Sequence, residues 1–107
     1  MRFDDPFRKR LRRALLDRGQ VLATLLSEVL AGKASEERVL AIVSGGKPGM
    51  RPAEKLRKAL DQIEKRRELL DADDDRFGRC DVCGDDLGED ALGEMAWADR
   101  CREHYAG

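Results

Sequence analysis

The sequence predicts a mainly α-helical protein: an antiparallel, coiled-coil-like helical hairpin, a short extra helix near its tip, and a small C-terminal finger. Three observations carry this expectation. Two long segments space their apolar residues alternately by four and three, the period of an amphipathic helix. Gly and Pro residues cluster between them. The three cysteines and the single histidine all fall after residue 79.

The first segment, 6–31, carries Leu11, Leu15, Leu22, Leu25 and Val29, with Arg18 where an apolar residue is expected. Leu16, Leu26 and Leu30 widen the stripe. Asp4 or Asp5 suits the N-cap, Pro6 the first turn and Gly32 the end. Gly19 sits inside the helix at a cost of about 1 kcal/mol relative to Ala, which marks a bend or a close contact. The second long segment, 51–74, carries Leu56, Leu60, Ile63, Arg67 and Leu70, with Pro52 in its first turn. Neither stripe can be buried alone, and an antiparallel pair buries both most simply. Arg18 and Arg67 then fall in the seam and snorkel toward its edge.

Between them, Ser35 followed by Glu36 and Glu37 reads as an N-cap with acids in the first turn. A short helix over 36–44 would bring Val39, Leu40, Ile42 and Val43 together as an apolar cluster. It either covers the hairpin end or forms a contact with a partner or a second copy. Gly45-Gly46-Lys47-Pro48-Gly49 is expected to be a loop. The hairpin thus occupies 1–75 and the finger 76–107.

Composition narrows the function. Of 107 residues, 40% are charged, 41% hydrophobic and 5% aromatic. With a mean hydropathy of -0.61, that balance suits solvated helices better than a deep-cored enzyme. No apolar run approaches the ~18 residues of a membrane span, and no cleavable leader pattern is present. A soluble, cytoplasmic protein without a membrane partner is expected. Net charge is only -1, but its distribution is uneven. Residues 1–20 hold seven basic and three acidic side chains, 51–70 hold seven and four, and 71–100 hold three and eleven.

The last segment carries the chemistry. Cys80-Asp81-Val82-Cys83 and Cys101-Arg102-Glu103-His104 are separated by seventeen residues. Two such pairs at 15–20 residues match the spacing of structural zinc, each turn supplying two ligands. The cofactor expected is one structural Zn2+ held by Cys80, Cys83, Cys101 and His104. Gly84 suits the turn that aims backbone N–H groups at the thiolates. The alternatives are free cysteines, or a redox Cys-x-x-Cys, which lacks the usual βαβ surroundings. A zinc with four protein ligands has no open position for Lewis-acid chemistry. The acidic group Asp71, Asp73, Asp74 and Asp75 reads as a solvated helix end, so no enzymatic activity is expected. Residues 81–99 hold seven acids and no Lys or Arg, which opposes phosphate contact and argues against sequence-specific DNA binding by the finger.

These residues bear a likeness to a known family. Phe77-Gly78-Arg79-Cys80 resembles the aromatic-Gly-x-Cys lead-in of the TraR/DksA zinc-finger transcription regulators. Cys83-Gly84-Asp85-Asp86-Leu87-Gly88 resembles their Cys-Gly-acidic turn. Leu92, Ala98 and Cys101 keep the family register without a gap. The resemblance spans about 30 residues, and the helices agree in length and order. It implies a bacterial protein that binds RNA polymerase by inserting its hairpin into the secondary channel, where acidic tip residues act near the catalytic centre. His104 stands in place of the family's fourth Cys, and Ala96 in place of its usual Pro. The tip signature Asp-x-x-Asp-x-Ala is absent from 33–50, where the only acids are Glu36 and Glu37. The competing expectation is a zinc-stapled interaction or homodimerisation module, with Val39, Leu40, Ile42 and Val43 at its interface. A third is a redox- or metal-responsive switch built on Cys80 and Cys83.

Overall fold

The computed structural model describes residues 3–43 and 49–105, apart from the side chain of residue 105. Its helices are α1 (Asp5–Leu30), α2 (Glu36–Ile42), α3 (Pro52–Asp71), α4 (Glu89–Glu94) and α5 (Arg102–Tyr105). Among the described residues there is no strand, only an isolated antiparallel bridge between Arg79 and Asp86.

Both ends of α1 and the C-terminal end of α3 carry residues suited to stopping a helix. Asp4 caps α1, its carboxylate accepting the Phe7 N–H at 2.9 Å. At the other end, Gly32 adopts φ +73°. Its N–H donates to the Val29 carbonyl and that of Lys33 to the Glu28 carbonyl. This paired pattern ends a helix at a left-handed residue. The same device closes α3, with Asp73 at φ 57° and the N–H groups of Asp73 and Asp74 donating to Leu70 and Leu69. The helix expected to reach 74 therefore stops at Asp71. Ser35 caps α2 by accepting the Arg38 N–H. That helix ends at Ile42, because Val43 is already extended at φ -118° and ψ 109°. Ser44 and the expected Gly45-Gly46-Lys47-Pro48 loop lie outside the described residues.

The largest packing in the chain is α1 against α3, and α2 packs on α3 beside it. Arg8 donates to the Leu70 carbonyl at 2.9 Å, and Arg12 pairs with Asp71 at 3.5 Å, so the start of α1 lies at the end of α3. The core between them contains Leu11, Leu15, Leu22, Leu25, Val39, Leu56, Ile63 and Leu70, all buried. Phe3 meets Phe7 at 5.5 Å and Phe77 edge-on at 6.1 Å, joining the chain start to the finger.

One expectation about side chains needs correction. Leu16 and Leu30 are largely exposed and do not widen the buried stripe; only Leu26 packs partly against it. Arg67 is half-buried and pairs with Glu64 at 2.7 Å, while its neighbour Arg66 is 1% exposed. Arg18 is held by two partners far from it in sequence. Half-buried, it donates to the Ile42 carbonyl at 2.6 Å and lies over the Trp97 ring at 4.6 Å.

Gly19 marks close approach. A Cβ built there meets Ile63 Cγ2 at 3.6 Å, an ordinary van der Waals contact. Gly19→Ala should therefore gain helix propensity without a clash and stabilise the chain by about 0.5–1 kcal/mol. A chemical denaturation midpoint higher than that of the native chain is the expected reading, and a lower one would show that the helices sit closer than this.

Candidate metal centre

The site is assembled from two short pieces of irregular backbone that cannot hold themselves by burial. The first starts at the turn after α3. Asp74 accepts the Arg76 N–H at 2.9 Å and both Nε and Nη2 of the same side chain at 3.0 and 2.9 Å. The Arg76 guanidinium bonds hold the Asp74 carboxyl down to about 2, with the Arg76 N–H adding to them. Phe77 then buries its ring, and a narrow ribbon follows. Leu87 N–H donates to the Gly78 carbonyl and Cys80 N–H to the Asp85 carbonyl, both at 2.9 Å. Between those rungs the chain turns through Cys80, Asp81, Val82 and Cys83. Gly84, at φ +76°, closes the turn by donating to the Cys80 carbonyl at 2.9 Å.

The second piece runs through α4, whose Leu92 is fully buried, and a turn that buries Ala96 and Ala98. Neither α4 nor α5 was foreseen from the sequence, since helices of 6 and 4 residues are too short for a periodic signal. The Asp81 N–H donates to the Asp99 carbonyl at 2.7 Å, so the two pieces are tied together beside the first cysteine pair. Cys101 precedes α5, and the His104 N–H donates to its carbonyl at 3.0 Å. That single turn puts the Cys101 sulfur and the His104 ring on the same side.

The ligand atoms of Cys80, Cys83, Cys101 and His104 all lie within 4.8 Å of one another. Nδ1 of His104 is 3.1 Å from the Cys101 sulfur and 3.5 Å from that of Cys80; the Cys83 and Cys101 sulfurs are 3.7 Å apart. A tetrahedral ion with thiolate bonds of about 2.3 Å and an imidazole bond of about 2.0 Å separates its sulfurs by roughly 3.8 Å and sulfur from nitrogen by roughly 3.5 Å. Two of the three spacings sit at these values and the third is somewhat shorter. The four residues therefore fit one metal ion.

The electrostatics also suit a cation. Burial pushes the Cys80 thiol up, but the N–H groups of Cys101, Cys83 and Val82, with the Cys83 side chain, outweigh it and hold Cys80 at about 6. Cys83 goes the other way. The Asp85 N–H lowers it, yet burial, the Cys80 and Cys101 sulfurs and the Asp85 carboxylate together push it up to about 11. Three crowded thiols cannot all ionise without a positive charge among them, so metal binding and proton release are linked. With all four atoms bound to one ion, no protein-derived position stays open for a substrate.

The other residues singled out by sequence lie at α2. Glu36 and Glu37 are exposed in its first turn. Val39 and Val43 are buried in the chain's own core and Ile42 packs partly against it, whereas Leu40 is 46% exposed. Sequence reasoning missed two side chains that seat the finger, Arg66, which reaches Asp81 at 3.4 Å, and Gln62, which donates to the Trp97 carbonyl at 3.0 Å, and it missed the contact of Arg18 with the Trp97 ring. The one available signal was the polar pair Gln62 and Arg66, one helical turn apart next to an apolar stripe.

Among known proteins, the chain matches no family model, no curated sequence and no solved structure. No helix among the described residues is long and apolar enough to cross a membrane.

Substituting Cys80 and Cys83 together with Ser removes two of the four ligands. Calorimetric melting should show a lower Tm and loss of any shift on adding metal; an unchanged melt would contradict a structural metal. The Asp74 carboxyl, held below its ordinary value of about 3.9, favours the folded state above that value and loses its contribution as pH falls toward about 2. An NMR titration should place its midpoint there, and in Arg76→Ala, which keeps the backbone N–H, the midpoint should move most of the way back up toward the ordinary range.

Proposed function

We propose that the chain is a zinc-stapled transcription regulator of the DksA/TraR kind that binds RNA polymerase through a helical hairpin. The observation that carries the reading is the Cys3His cluster, placed directly after two long helices in the order that the resemblance requires. Zinc is the ion of choice because it is borderline-soft, accepts thiolate and imidazole together and has no geometric demand beyond the tetrahedron. In this reading α1 and α3 form the antiparallel hairpin, supported by the pairing of Arg8 and Arg12 with the end of α3.

The metal supplies no reaction. It fixes the two pieces of the finger, and residues 76–105 then seat on the base of the hairpin. The end near α2 enters the secondary channel of the polymerase, with Glu36 and Glu37 as its acidic groups. The acidic finger avoids DNA phosphates by charge repulsion and meets basic polymerase surfaces instead. The protein acts without catalysis and in the cytoplasm of a bacterium.

A second reading, an interaction or homodimerisation module without polymerase activity, is favoured by a specific feature. Leu30 at the end of α1 and Leu40 in α2 are 63% and 46% exposed. Apolar side chains left open there suit a protein partner or a second copy.

One binding experiment separates the two. Zinc-loaded protein is titrated against bacterial core RNA polymerase, with and without a known secondary-channel factor as competitor. Binding that the competitor displaces is the expected result. No binding at tens of micromolar, together with a concentration-dependent dimer by light scattering, would replace the first reading with the second.

A further inference from the structure

We propose that Arg66 is a positioning residue of the metal centre: from α3 its buried guanidinium grips the Cys80–Cys83 turn through Asp81 and supplies the internal positive charge that the metal–thiolate cluster needs. The inference rests on the reading of Cys80, Cys83, Cys101 and His104 as a metal site.

Arg66 is the only buried charged side chain among the described residues, at 1% exposure. A guanidinium cannot shed its charge by losing a proton, so its burial demands an opposing charge nearby. Its Nη2 lies 3.4 Å from Asp81 Oδ1, a long contact to a carboxylate that is itself 39% exposed. Nε and Nη1 have no hydrogen-bond partner among the described residues. One stretched ion pair is poor compensation for a fully buried cation.

The location of Asp81 supplies the remainder. It stands between the two cysteines of the first pair, and its backbone is bonded to Asp99 in the second piece of the finger. A divalent ion with three thiolates and a neutral imidazole carries a net charge of about -1. Loading the ion therefore places a negative cluster next to the turn that Arg66 already holds. Gln62, one turn earlier on α3, grips the second piece through the Trp97 carbonyl. The 62/66 edge of α3 thus holds both halves of the centre, and Arg66 alone adds charge. Partners outside the first coordination sphere that orient metal ligands are commonly worth about 10- to 100-fold in affinity.

The test is a cobalt(II) titration of the full chain, followed through the thiolate-to-cobalt charge-transfer band and the d–d bands, with zinc competition afterwards. Arg66→Met keeps an unbranched apolar stem and removes the guanidinium and its charge. It should bind cobalt at least about tenfold more weakly, with altered d–d bands. Arg66→Lys should recover part of the loss, and Arg67→Met, which removes a neighbouring charge paired with Glu64, should change nothing. If Arg66→Met retains helical circular dichroism and binds cobalt as tightly as the native chain, the inference is overturned while the metal site stands. If Arg66→Met does not fold, Asp81→Asn decides: weaker cobalt binding supports the proposal and unchanged binding overturns it. No cobalt bands in the native chain would overturn the metal-site reading and the inference together.

Discussion

Residues 79–105 must hold a defined shape with almost nothing apolar to bury, and that constraint governs the structure. Among the described side chains of that stretch, only Cys80, Leu92, Ala96 and Ala98 are buried. Hydrophobic burial on that scale cannot offset the backbone entropy of ordering such a segment. Small modules of this kind rely on cross-links or on metals. One metal ion held by the four clustered ligand atoms would be such a cross-link, joining two turns that are separated by seventeen residues of sequence.

A cross-link alone would leave the finger loose on the helices. Three polar side chains attach it: Arg18 from α1, and Gln62 and Arg66 from α3. Two of them converge on Trp97, one on its ring and the other on its carbonyl. The tryptophan thus acts as an anchor between the long helices and the second piece of the finger. Arg18 also donates to the last turn of α2, so one guanidinium connects the finger, α1 and α2. Phe3, Phe7 and Phe77 make the corresponding apolar joint at the other side of the finger.

Much of the helical architecture was legible in the sequence, because its signals are local. Asp4, Pro6 and Gly32 bracket the first long helix, and the alternating Leu spacing gives its buried face. The ligand cluster was legible for the same reason, as each Cys/His pair fits within one turn. What escaped was the chemistry that depends on where the finger sits. In a 3.6-residue helix, positions 66 and 67 lie about 60° and 40° to opposite sides of position 63. Periodicity favours Arg67 as the seam residue, but the finger lies on the other edge and buries Arg66 instead. The role of Arg18 likewise depends on Trp97, 79 positions later in the chain, which no periodic pattern connects to it. The end of α3 was misplaced because a left-handed Asp73 terminates it, and Asp carries a much weaker signal for that conformation than Gly.

X-ray absorption at the zinc edge of the purified, zinc-loaded chain tests the central claim most directly. The account requires one zinc per chain with three sulfur neighbours at about 2.3 Å and one nitrogen at about 2.0 Å. A shell of oxygen and nitrogen alone, or a chain that retains its native melting temperature after the metal is stripped, would contradict it.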